Sequence, residues 1–185
     1  MLEDLIGALR ELNEDELQRV RALIETLRQA RASVAWAYDF LTHFADAGKS
    51  ASRNPGGMEI RVADATCAGV TRIALWEHPP VSGSASVGYL VPIPNGLSNL
   101  TLKFSIGIRD GSELPQDRFV AFRVLVNGFK FWSTVKNTHT WEEFTIAMPQ
   151  LSSDVARIEF VTDGLGDNRW NWAVWGAPRL EGKPQ

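Results

Sequence analysis

Between Phe122 and Ser133 the chain reads FRVLVNGFKFWS, two apolar-alternating runs around an Asn127-Gly128 pair. Both central positions tolerate the positive φ of a type I′ turn, whose twist matches a pair of antiparallel strands. A two-residue turn sets the register of the ribbon. It places Val126 opposite Phe129, Val124 opposite Phe131 and Phe122 opposite Ser133 on one face. The other face then carries Leu125 with Lys130 and Arg123 with Trp132. The first face is core, and the second meets water at least in part.

The same period of two runs through the chain from Ser33 onward. In Asn99–Ile108, Leu100, Leu102, Phe104, Ile106 and Ile108 alternate with polar residues and glycine. Phe144 and Ile146 point inward in Trp141–Met148, as do Ala156, Ile158 and Phe160 in Asp154–Val161. Ser33–Phe40, Met58–Ala63, Val70–Trp76, Val87–Pro94 and Trp170–Leu180 also read as strands. Ala45–Gly57, Ser82–Ser86 and Arg109–Asp117 are Gly/Ser/Pro/Asp-rich loops. Nine or ten strands with no helical crossover predict a mainly β fold, two packed antiparallel sheets in a sandwich. There is no internal repeat.

The leading segment has a different period. Leu2, Leu5, Leu9 and Leu12 form one narrow apolar seam, and Leu17, Val20, Ile24 and Leu27 another. The five-residue step from Leu12 to Leu17 breaks the pattern. Asn13 with Glu16 three residues on is a capping signature. Two helices are expected, over 2–12 and 14–31, the alternative being one helix with a register slip. Short helices of this kind are unstable alone. Residues 1–32 are therefore read as a helical packing or oligomerisation segment and 33–185 as the β-sandwich binding domain. The seam points to a coiled-coil homo-oligomer.

Composition excludes several classes. A net charge of -3 gives no strong field for nucleic acid. Cys67, the only cysteine, permits neither an internal disulfide nor a thiolate metal cluster. No stretch is a membrane span, and the acidic opening Met1-Leu2-Glu3-Asp4 is no secretory leader. As written the chain is expected to be cytoplasmic. A chain whose leader had been trimmed away, an extracellular protein, would read the same.

Four segments resemble a known fold family in order. Leu75-Trp76-Glu77-His78-Pro79 followed by Tyr89-Leu90-Val91-Pro92-Ile93-Pro94 resembles the W-x-HP … Y-x-V-x-LP opening of galactose-binding-like jelly rolls. Leu102–Gly111 resembles their L-x-F-x-x-G-I-x-D-G strand, and Phe122–Gly128 their F-x-V-x-V-[ND]-G hairpin. Trp172–Leu180 is similar to the DWA-x-W-x-x-P-x-L close of the novel carbohydrate-binding module group. The resemblance covers about residues 70–180 and implies a jelly roll that binds glycans, binds other partners or supports a neighbour. Asn171 stands where the closing pattern has Asp, which removes that carboxylate from any role in loop orientation or calcium binding.

Candidate ligand-binding residues are Trp132, Arg123, His78, Arg109, Asp110 and His139. Seven tryptophans suit the flat C–H faces of sugars, and they equally suit an ordinary core. On the register above, Trp132 is either a ligand platform or the partner of a cation–π pair with Arg123. Arg109 and Asp110 offer paired polar contacts to hydroxyls, or a surface turn. His78 and His139 lie in loops. No cofactor is required. Asp163, Asp167 and Asn168 on an acidic Gly loop are a candidate site for a structural Ca²⁺. No catalytic motif is present, and Glu142 and Glu143, adjacent on a strand, point to opposite faces. The sequence thus predicts a non-enzymatic, lectin-like module, carbohydrate-binding and multimerised through its helices. The alternative is a structural protein whose sandwich mediates protein–protein assembly.

Overall fold

The computed structural model describes residues 12–32, 36–151 and 153–184. The chain forms two compact units, Met1–Ala35 and Trp36–Gln185.

In the first unit, helix α1 spans Glu14–Ala32. It begins at a reciprocal cap. The Glu16 N–H donates to Asn13 Oδ1 at 3.0 Å, and the Asn13 N–H donates to Glu16 Oε2 at 2.9 Å. This satisfies two backbone donors that a helix start leaves open. Leu12 and Asn13 are not helical, so the helix starts at the cap and does not run through it. The helix expected over 2–12 lies outside the described residues. On α1, Leu17 and Val20 are partly covered while Leu23 and Ile24 are exposed. No helix among the described residues is long and apolar enough to cross a membrane.

The second unit is the expected antiparallel sandwich, with eleven strands. They are β1 (Trp36–Asp39), β2 (Gly48–Ala51), β3 (Glu59–Cys67), β4 (Val70–His78), β5 (Ser84–Pro92), β6 (Leu97–Ile108), β7 (Val120–Val126), β8 (Phe129–Lys136), β9 (Glu142–Ala147), β10 (Val155–Asp163) and β11 (Ala173–Pro184). One sheet has the order β3-β4-β11-β6-β9 with β1 also on β11, and the other β2-β5-β10-β7-β8. The strand missed in the sequence is β2, GKSA, inside a segment that reads as loop. It has no apolar alternation and is made a strand only by pairing with the edge of β5.

The core is what the alternation dictates. Leu102, Phe104, Ile106 and Ile108 of β6, Phe122 and Val124 of β7, and Ala156, Ile158 and Phe160 of β10 are all buried. Trp175 of β11 lies among them, its ring 5.4 Å from Phe104, 5.2 Å from Phe122 and 5.0 Å from Phe160, near edge-on in each case. Edge-to-face packing of this kind adds to plain burial.

The β7–β8 ribbon departs from its expected register. Val126 faces Phe129 and Leu125 faces Lys130, but Val124 then faces Trp132 and Arg123 faces Ser133. Phe131 is the extra residue of a β-bulge. A bulge sets two residues against one, so both lean to the same side. Phe131 and Trp132 accordingly both pack against the core, Trp132 at 4.9 Å from Phe104 and 4.7 Å from Phe144. The expected outward Trp132 opposite Arg123 is corrected: Arg123 instead pairs with Asp163 at 3.1 Å. Phe129, expected on the core face, sits at the turn and is exposed.

The β3–β4 ribbon also leaves its sheet. β4 pairs with β11 only over Ala74–Trp76, and Gly107 on β6 is level with Trp76 through Val174. Yet Cys67, which pairs with Val70, lies against Gly107, where a Cβ would come within 2.6 Å of its Sγ. The tip of the ribbon therefore crosses β11 and lies on the outer face of the sheet. Trp141 closes the contact from beside it, donating its indole N–H to the Val70 carbonyl at 2.8 Å. Ala65, Cys67, Ala74 and Val174 form a second small core beneath the ribbon. Burial pushes the Cys67 thiol up to about 12, so it is no nucleophile at neutral pH. β1 pairs with the C-terminal part of β11, beyond the segment that β4 covers.

Among the described residues Glu77 is the one carboxyl sealed in the main core. It is fully buried, and its Oε2 accepts the Trp175 indole N–H at 2.6 Å. Its Oε1 and the nearby Tyr89 hydroxyl have no partner. Burial holds this carboxyl well above the usual carboxylate range, against the weaker pull of the indole. A raised folded-state value means that the native state keeps a proton the unfolded chain has already lost. Stability from this group is full below about pH 4.5, its ordinary value, and falls as pH rises toward the folded value, by about 1.4 kcal/mol per pH unit. Glu77→Gln keeps an acceptor for Trp175 and has no charge to bury. Melting curves of the two proteins should therefore lie close at pH 4 and separate progressively above it, the glutamine variant the more stable. A gap that stays constant from pH 4 to pH 9 would rule this out.

Candidate functional site

Five connections gather at one end of the sandwich: β2–β3, β4–β5, β6–β7, β8–β9 and β10–β11. The registers put them there, since Glu59 pairs with His78, Ala173 with Ile108, Ser84 and Ala121 with Asp163, and Val120 with Lys136. Residues far apart in the chain thereby meet. His78, Arg109, Asp110, His139, Asp163, Asp167 and Asn168 all belong to this end, and Arg123 reaches it through Asp163. Trp132 does not.

Most of these side chains are committed to the chain itself. Asp110 accepts the N–H groups of Ala68 and Gly69 at 2.8 and 2.9 Å, clasping the tip of the β3–β4 ribbon, where Ala68 has φ 49° and Gly69 φ 76°. Those two donors, Gly69 first, hold its carboxyl below the usual range. His78 donates through Nδ1 to the Asn171 carbonyl at 2.9 Å, which leaves Nε2 to accept from Asn168 Nδ2 at 3.5 Å. Burial lowers its pKa, so it is neutral at pH 7. Asn168 also donates to the Pro79 carbonyl at 3.2 Å. His139 lies in a loop organised around the buried Lys136, whose ammonium donates to Thr138 at 2.9 Å and pairs with Glu142 at 3.3 Å. The His139 Nε2 is enclosed with no partner.

The acidic loop does not fit a cation. Asp163 pairs with Arg123 and takes the Leu165 N–H on its other oxygen at 2.8 Å. Asp167 pairs with both Arg169 and Arg118, and Arg169 above all holds its carboxyl far below the usual range. Among the described residues no three His, Cys, Asp or Glu side chains group as metal ligands. Calcium would have to displace guanidiniums already in place. The adjacent carboxylates Glu142 and Glu143 are split as expected, one to Lys136 and the other to Arg72.

Along this end runs a ladder of guanidinium and indole groups, in which Arg61 and Trp170 are exposed, Trp76, Arg109 and Trp172 are half-buried, and the Trp76 Nε1 is enclosed without a partner. Arg61 lies 3.9 Å from the Trp76 ring centre, and Arg109 lies 3.3 Å from it. Arg109 also reaches Trp172 at 4.7 Å, and Trp172 packs on Trp170 at 5.5 Å. Arg61 is anchored by Glu59 at 3.1 Å. Trp170, with φ 65°, adopts a left-handed conformation that a bulky residue rarely takes, and it is exposed. Its carbonyl is held by the Ser112 hydroxyl at 2.5 Å. Of the expected residues only Arg109 is part of this ladder. Local pattern does not group Arg61 of β3, Trp76 of β4 and Trp170 and Trp172 of the β10–β11 connection, because they lie on three separate elements. The one available signal was the outward parity of Trp76 on its strand.

Asn171 was also missed as an organiser. It is buried, and its side-chain amide donates to the Asp167 carbonyl while its own carbonyl receives His78. Where the family pattern has Asp, the loop here needs a donor.

Comparison with solved structures agrees with this architecture. The chain resembles the CBM51-2 and INT domains of Clostridium perfringens ZmpB, in complex with GlcNAc, at 13% identity with a TM-score of 0.55, over 81% of this chain and 32% of that one. It resembles the CBM51 of Clostridium perfringens GH95, in complex with methyl-galactose, at 10% identity and a TM-score of 0.51, over 78% of this chain and 99% of that one. A Caldicellulosiruptor saccharolyticus CBM27-1 in complex with mannohexaose matches at 13% identity and a TM-score of 0.53, over 78% and 94%. The chain thus spans about a third of the first of these and nearly all of the other two. No family model and no curated protein matches it. At these identities the likeness is one of fold: the sandwich is an antiparallel jelly roll, as in those modules.

Two outcomes follow from the loop chemistry. Asn171→Asp removes the donor and sets a buried carboxylate against a carbonyl, at a cost of about 1–3 kcal/mol or more. A denaturation midpoint equal to that of the wild type would contradict this role. Excess EDTA should leave the melting temperature unchanged, and a fall restored by Ca²⁺ would show that the acidic loop binds metal after all.

Proposed function

We propose that residues 33–185 form a non-catalytic saccharide-binding domain and residues 1–32 an arm that multimerises it. The observation that carries this reading is the Arg61–Trp76–Arg109–Trp172 ladder. An indole face offers a flat apolar surface to the C–H face of a sugar ring, and neighbouring guanidiniums supply donors to its hydroxyls. The fold supports the same reading, since the structural neighbours are carbohydrate-binding modules crystallised with sugars. At the loop end Asp163, Asp167 and Glu142 are paired with cations and Asp110 with two backbone N–H groups, which disfavours a carboxylate couple for glycoside hydrolysis. A single platform of this kind binds weakly, and clustering several on one arm raises avidity without new contacts. The exposed Leu23 and Ile24 on α1 favour such an arm.

A glycan array probed with the full chain tests the reading, followed by titration calorimetry on the hits. Trp172→Ala should weaken binding several-fold to about tenfold with little change in melting temperature. Trp132→Ala should instead cost about 3–5 kcal/mol of stability. A folded protein with no hit on any glycan would leave the assembly reading, in which the sandwich engages protein. Light scattering on a chain that begins at Ser33 should give the monomer mass and the full chain a multiple of it. Equal subunit counts would remove the arm.

A further inference from the structure

A sizeable cavity among the described residues lies away from the loop end. It is an open cleft of about 590 Å³ at the outer face of β5 and β10, walled by β2 and the β1–β2 connection. That volume is in the range of small-molecule sites, about 300–1,000 Å³. Its floor is lowered where Gly48 pairs with Gly88, and the Glu159 side chain lies against Gly88. At Gly88 even a methyl group would come within 3.3 Å of the Glu159 side chain. Tyr38 provides an aromatic wall and is held in place by its stack on His43, 4.2 Å between ring centres.

The polar groups here differ from those of the loop end in being unfinished. Glu159 is buried with a side chain only 10% exposed, and Arg157 and Ser86 bond the same oxygen, Oε1, at 2.8 and 3.5 Å. Its Oε2 makes no hydrogen bond. Lys49 donates to the Phe44 and Ala47 carbonyls at 3.1 and 3.2 Å and lies 4.1 Å from the Phe44 ring centre, its third N–H having no oxygen acceptor among the described residues. The Asp46 carboxylate and the Ser50 hydroxyl line the same cleft without side-chain bonds. Two acids and two bases cancel, so the cleft selects against a net charge in its occupant. Acceptors and donors placed side by side suit adjacent hydroxyls, each of which both donates and accepts.

We infer that this cleft is a second saccharide site, taking one ring of an uncharged glycan, with Glu159 as its central acceptor. The inference rests on the proposed saccharide-binding function and adds a site about a different face of the sandwich. Two sites on one domain would let a single chain hold two glycan strands, or two points on one.

The experiment is amide and indole chemical-shift mapping on the ¹⁵N-labelled full chain. The probes are methyl galactoside, N-acetylglucosamine and mannohexaose, each titrated separately. Saturable shifts at Lys49, Ser50 and Gly88 support the cleft, and Glu159→Gln should then weaken that binding at least tenfold while the indole shifts of Trp172 stay unchanged. Gly48→Leu is a second variant that fills the cleft from an exposed edge, where the added Cβ would have only the Gly88 carbonyl near it, at 3.9 Å. It should abolish the cleft shifts in a protein that still folds. Shifts confined to the loop end, or cleft shifts indifferent to both variants, overturn the second site and leave the saccharide-binding reading intact. No shift at the cleft with any of the three sugars overturns the second site, while the saccharide-binding reading stands or falls with the glycan array.

Discussion

The sandwich is held together where Trp175 enters it. This side chain from the middle of β11 is fully buried and meets Phe104 of its own sheet and Phe122 and Phe160 of the other. A large apolar ring with one polar handle has to be surrounded by carbon and also given an acceptor. Glu77, on the neighbouring β4, supplies it. The strand pair β4–β11 is thus tied to the core by a carboxyl that is too deeply buried to be charged comfortably. The Thr162 hydroxyl from the opposite sheet donates to the Glu77 backbone carbonyl at 2.6 Å, so the same residue also bridges the two layers.

That tie places the end of β4, and with it His78, against the β10–β11 connection. From there the loop end is organised by exchange of hydrogen bonds among its own members. His78 needs the Asn171 carbonyl, Asn171 needs the Asp167 carbonyl, and Asp167 needs two arginines. The result is a stiff rim with few free polar atoms. What remains at this end is aromatic rings with guanidiniums between them. The β2–β5–β10 cleft is the reverse case: few rings, and several polar atoms whose capacity the chain leaves unfilled. One surface offers contact area and the other hydrogen-bonding groups.

The β3–β4 ribbon shows how small residues set what can approach what. Gly107 and Gly176 leave room for Cys67 and for the Trp141 ring on the outer face of the sheet. Asp110, which reads in the sequence as a surface turn or a ligand contact, pins the tip of the ribbon across 41 and 42 residues of chain. Its partner in the sequence, Arg109, goes the other way and stacks between two indoles. Adjacent residues on one turn therefore serve quite different ends, one clasping the ribbon tip and one stacked half-buried between indoles.

The alternation of β6, β7 and β10 and the Asn13–Glu16 cap were legible in the sequence because period and capping are local: each depends on residues within a few positions. The sandwich and its core residues followed from that. Local pattern carried no information on the Phe131 bulge, which turned Trp132 from the outer face to the core, because the pull on that indole comes from Phe104 and Phe144 on the other sheet. Nor did it reveal β2, an edge strand defined only by its neighbour, or the grouping of Arg61, Trp76, Arg109 and Trp172, which come from four separate strands and connections. The sequence alone determined that the chain would alternate into two antiparallel layers behind a capped helix. Which aromatic rings face solvent, and which charges are already spent, was decided by packing between segments distant in the chain, since a side chain turns toward whichever partner the whole fold brings within reach.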